Sequence, residues 1–129
     1  MINYGFTKEI DASFVETVDK VSNELKKEGF GILTQINIAE KFKEKLGIDF
    51  KKYIILGACN PPSAHKAILA EENIGLMLPC NVVIYEKQDK TVVSIIKPKV
   101  AMKMIGNVEL EQIASSIEKK LKKVFDSII

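Results

Sequence analysis

Phe14, Val18, Val21 and Leu25 recur at intervals of four and three residues, which places them on one face of a helix, while Lys20, Glu24, Lys27 and Glu28 are expected to point elsewhere. Ser13 and Glu16 have the Ser-x-x-Glu spacing of a capping box, so this helix starts at about residue 13, and Gly29 ends it. Residues 2–7 precede it as a short opening strand, and residues 30–36 follow as a second one. Asn37 and Glu40 then repeat the cap spacing before a short helix that carries Phe42 and Leu46 and stops at Gly47.

Residues 53–59, YIILGAC, form a nearly continuous apolar run, the pattern of a strand in the middle of a sheet. Asn60 reads as an N-cap with Pro61 and Pro62 in the first turn, where a missing N–H costs nothing. Pro79 interrupts the run over residues 74–86, because proline cannot donate to a ladder, so the next strand is expected to start near Cys80. After a polar turn at residues 88–90, residues 91–97, TVVSIIK, complete an antiparallel hairpin that Pro98 ends. Glu86 and Lys97 would face each other across it as a cross-strand pair.

A closing helix over about residues 109–127 aligns Leu110, Ile113, Ile117, Leu121 and Val124 opposite Glu118, Lys119, Lys122 and Lys123. The element order predicts an α+β two-layer sandwich forming one domain over residues 1–129: a mixed sheet of about five strands with an antiparallel hairpin, helices mainly on one face. The apolar residues Val124, Phe125, Ile128 and Ile129 run to the last position, and a homodimer contact would cover them.

At 129 residues with 47% hydrophobic side chains, the chain can hold an ordinary apolar core without metals or disulfides. A formal charge of +2, with all 19 cations lysine, argues against nucleic acid as a partner. No apolar run reaches the ~18 residues of a membrane span and the first residues lack a secretory pattern, so a cytoplasmic protein with no membrane partner is expected. The glycines form no phosphate-binding loop motif.

Two blocks stand out: ILGACNPPSAHKAIL, beginning at Ile55, and GLMLPCNVVIYE, beginning at Gly75. They resemble the signature of the domain-of-unknown-function family 302, and the resemblance extends over essentially the whole chain. Its pattern falls on Gly57, Ala58, Cys59, Asn60, Pro61, Ala64, Leu78, Pro79, Cys80, Asn81 and Val82. What the resemblance implies is a compact α+β domain, often dimeric, with no settled activity and no assigned cofactor. His65, Lys66 and Met77 lie outside the pattern.

Cys59 and Cys80 are the catalytic candidates. Cys59 precedes a helix N-terminus, whose dipole and unpaired N–H groups would favour a thiolate, whereas the alternative is a small buried hydrophobe. Parallel neighbouring strands would hold the two sulfurs about 20 Å apart. Antiparallel strands would bring them to one edge, within the ~7 Å Cα separation a disulfide allows. His65 and Met77 could in principle join them around a soft ion, but no standard metal motif is present and no metal site is assigned.

Three functions follow from these residues. The first is a small-ligand-binding or sensor module with Cys59, Asn60, Pro61, Pro79, Cys80 and Asn81 around one pocket at strand ends. The second is a thiol-dependent redox or soft-metal protein using Cys59 and Cys80, and the third is a homodimeric interaction domain.

Overall fold

The computed structural model describes residues 2–129. Strand β1 (Gly5–Ile10) leads to helix α1 (Phe14–Lys27), β2 (Gly31–Asn37), α2 (Ile38–Leu46) and β3 (Tyr53–Cys59). Then come α3 (Pro61–Ala70), a 3-10 helix (Glu72–Met77), the hairpin β4 (Cys80–Lys87) and β5 (Lys90–Ile96), α4 (Pro98–Met102), a second 3-10 helix (Lys103–Ile105) and α5 (Val108–Ser127).

The five strands form one sheet in the order β1-β5-β4-β3-β2, and every neighbouring pair is antiparallel. This corrects the expected mixed sheet, while the α+β class holds. A helix between two strands ordinarily reads as a crossover to a parallel neighbour. Here α2 and α3 instead lie at the sheet ends and return the chain to the end it left. It is α1 that crosses the sheet, because the strands it joins occupy opposite edges. The middle strand is β4, and β3 is interior beside it, where the sequence pattern had put β3 at the centre.

Local chemistry explains most helix starts. Ser13 Oγ accepts from the Glu16 N–H at 3.1 Å, Asn37 Oδ1 from Glu40 at 3.1 Å, Asn60 Oδ1 from Ser63 at 3.3 Å, and Asn107 Oδ1 from Leu110 at 3.0 Å. The short α4 has no side-chain cap of its own. Glu118, nearly three turns into α5, accepts the Lys99 N–H at 3.0 Å in its place.

Two clusters make the interior. The larger joins Val21 and Leu25 of α1 and Ile117, Leu121 and Val124 of α5 to Leu56, Val82, Ile84, Val93 and Ile95 on the facing side of the sheet. Each such side chain taken out of water contributes roughly 1.5–3 kcal/mol. The smaller holds Ala67, Ile74, Met102, Leu110 and Ala114, with Met77 packed against it.

Four sequence expectations are corrected. The first strand covers residues 5–10, not 2–7, because Lys8 breaks its apolar alternation; that side chain lies on the helix side with its ammonium 4.4 Å from the Phe125 ring centre. Glu24 is buried on α1, its charge met by Lys27 Nζ at 2.9 Å. Glu86 faces Thr91 in the hairpin and not Lys97, which lies beyond β5 with its N–H bonded to the Tyr4 carbonyl. The C-terminal apolar residues cover themselves: Val124 and Ile128 are in the core and Phe125 packs on Phe6 at 5.6 Å, leaving Ile129 as the exposed one. Among the described residues no helix is long and apolar enough to cross a membrane.

Candidate functional site

The antiparallel pairing of β3 and β4 brings the two signature blocks together. Ala58 and Cys80 are register partners, so Cys59 lies one residue beyond the pair that Cys80 completes. Both thiols are free. Beside them is a narrow cavity of about 30 Å³, room for one or two water-sized molecules. Its walls come from Phe30, the strand end at Ala58 and Cys59, Asn60, Ser63, Ala64 and Ala67 of α3, and Leu78, Pro79 and Cys80. Pro98 and Met102 of α4 and Ile113, Ala114 and Ile117 of α5 close the rest.

Of the six residues expected at a common pocket, Cys59, Asn60, Pro79 and Cys80 line this cavity. Pro61 and Asn81 do not; both are exposed, Pro61 in the first turn of α3 and Asn81 opposite Gly57 in the ladder. Sequence reasoning missed the far wall, Pro98, Met102, Ile113 and Ala114, since α4 begins at Pro98, a proline that looked like a mere strand terminator.

The signature residues around the cavity have physical tasks. Asn60 is buried, and besides capping α3 its Nδ2 donates to the Gly29 carbonyl at 3.5 Å, so one amide ties the end of α1 to the start of α3. Gly57 is a close-approach position: a Cβ there would stand 2.7 Å from Pro79 Cγ and also collide with the Thr34 hydroxyl. Asn107 repeats the bracing device on the other side, donating to the Ala70 carbonyl at 3.0 Å while it caps α5.

The electrostatics run against an activated thiol. Burial raises the Cys59 pKa above its ordinary value, and burial, with the neighbouring Cys59 adding to it, pushes Cys80 up to about 11. Both therefore stay neutral at physiological pH. Loss of solvent is the cause that shifts Cys59, and the Ser63 N–H at the helix start expected to favour a thiolate is already satisfied by Asn60. His65 is exposed on α3 and Met77 belongs to the smaller core, so neither joins the cysteines at the cavity. Among the described residues no three His, Cys, Asp or Glu side chains gather as a metal site would require.

Comparison with known proteins agrees with this geometry. The sequence profile of the family described as domain of unknown function DUF302 matches residues 6–128. The crystal structure of an uncharacterized conserved DUF302 protein from Bacillus stearothermophilus is similar, with a TM-score of 0.90 and 33% sequence identity over 98% of both chains. No curated protein matches the sequence significantly. With its two signature blocks meeting at one end of an antiparallel sheet, and with the profile covering nearly every residue, the chain belongs to the DUF302 family.

Proposed function

We propose that this domain is a cytoplasmic binding or sensor module for a small, uncharged, largely apolar ligand held beside Cys59 and Cys80. One observation carries the reading: both signature blocks converge on one cavity whose walls are mainly apolar side chains. Asn60, the polar group most deeply set in the wall, has its amide engaged by Gly29 and Ser63, which leaves the neutral thiols as weak polar partners and disfavours a charged occupant. The present volume admits only a molecule of a few atoms; Leu78 and the unbranched Met102 are the wall members able to give way.

Xenon under pressure is the probe. Saturable amide shifts confined to Ala58, Ala64, Ala67 and Ala114 are expected, and Ala64→Leu, which fills the space, should abolish them while the fold is retained. Shifts spread over the whole surface, or none at the cavity, would overturn the reading.

A second reading, a homodimeric interaction domain, is favoured by the sheet face turned away from α1 and α5. Thr7, Ser94, Val83, Ile55 and Ile36 stand in one row across all five strands. An antiparallel face left to water normally alternates to polar residues. This row carries no charge and three β-branched apolar side chains, with Ile36 41% exposed. A second copy packing face to face would cover it, in place of the C-terminal contact that the sequence suggested. Wild-type protein should then sediment as a dimer at micromolar concentration and Val83→Lys as a monomer; a monomeric wild type ends the idea.

A further inference from the structure

Lysines gather at one place away from the cavity. A groove of about 400 Å³ runs between β1 and the starts of α4 and α5's second half, lined by Phe6, Lys99, Ser115, Glu118, Lys119 and Lys122. Two more ammonium groups border it: Lys97 Nζ lies 4.9 Å from the Phe6 ring centre, and Lys8 Nζ 4.4 Å from Phe125, whose ring packs on Phe6 at 5.6 Å.

The acids here are already in use. Asp126 holds Lys122 at 2.6 Å, and Glu118 caps α4 through the Lys99 N–H. Lysine stems cover phenyl rings on many protein surfaces, but the charge count sets this place apart. Five lysines against two carboxylates leave an excess of three positive charges along this groove and the Phe6–Phe125 pair beside it, although the whole chain carries only +2. The remainder of the molecule is therefore slightly acidic.

We infer that this groove binds a small phosphomonoester with an apolar body, the body resting on Phe6 and the phosphate among Lys97, Lys99 and Lys119. The volume is that of a small-molecule site. Lysine acts on phosphate as a mobile point charge, with no need of a glycine-rich loop. Ser115 adds a neutral hydroxyl at the same wall.

Phenyl phosphate, inorganic phosphate and phenol, each titrated at low ionic strength and followed by amide chemical shifts, test the assignment. Phenyl phosphate should bind saturably with shifts at Phe6, Lys99, Ser115 and Lys119, at least about tenfold more tightly than either of the other probes, and added salt should weaken it. Lys99→Ala with Lys119→Ala should cost about tenfold in affinity, whereas Lys41→Ala with Lys45→Ala, on the distant α2, should cost nothing. Equal binding of inorganic phosphate or of phenol, equal loss in the two double variants, or shifts scattered over all lysines would each overturn it. Absence of saturable binding would do so as well.

Discussion

Gly57→Ala is expected to lower the stability of the protein by about 3 kcal/mol, near the upper end of ordinary overpacking. The position lies in an interior strand with Thr34 on one neighbour and the Pro79 ring approaching from the other side. Thr34 can rotate, but the proline ring, 2.7 Å from where the new Cβ would stand, cannot leave without moving the start of β4. Denaturant midpoints of wild type, Gly57→Ala, Thr34→Ala and the double variant measure this. Thr34→Ala should recover part of the loss and not all of it, so the cycle gives a favourable coupling between the two sites. A Gly57→Ala protein as stable as wild type would mean that the strands separate there at no cost, contrary to the packing described.

The second large effect is expected at Asn60. Asn60→Ala removes the α3 cap and leaves the Gly29 carbonyl without its side-chain donor, for a loss of about 2 kcal/mol. Asn60→Asp keeps an acceptor for the Ser63 N–H but turns a carboxylate oxygen toward the Gly29 carbonyl and buries a charge there, so its loss should equal or exceed that of Asn60→Ala. A clearly smaller loss for Asn60→Asp would show that the cap, and not the brace to α1, accounts for most of the effect. Because Asn60 also walls the cavity, both variants should be compared in the xenon experiment once their folding has been verified.

Local signals were the readable part of this fold. Ser13, Asn37 and Asn60 announce helix starts because a cap and its recipient N–H are only three residues apart, and the αL residues Gly47 and Gly29 mark the helix ends in the same way. The hairpin of β4 and β5 was legible because its turn is short, with Gln88 at positive φ between two apolar runs. Strand direction was not legible: a helix between two strands leaves the same pattern whether it crosses the sheet or turns back at its end. The two cysteine blocks could therefore be identified as candidates but not placed together until the register of Ala58 with Cys80 was known. The five-residue α4 escaped because its sequence, PKVAM, is too short for periodicity, and its start is stabilised by Glu118 from a distant part of the chain. Asn107, which joins α3 to α5, is a cap of the readable kind, yet its second partner lies 37 residues away.

The edge-to-edge course of α1 has a consequence for how the chain reaches this state. Strands β2 to β5 each pair with the neighbour nearest in sequence, so they can assemble as the chain lengthens. Strand β1, made first, has no partner until β5 exists; the Thr7 and Ser94 hydroxyls that meet at 2.7 Å are 87 residues apart. Such a long closure is entropically slow compared with hairpin formation. During synthesis β1 must remain unpaired until β5 has been made, and β5 then offers an open edge for as long as β1 has not docked. Docking of β1 thus moves the edge from the apolar β5 to β1 with its Lys8 and Glu9, and the time β1 takes to arrive sets how long β5 is open to pairing with another chain.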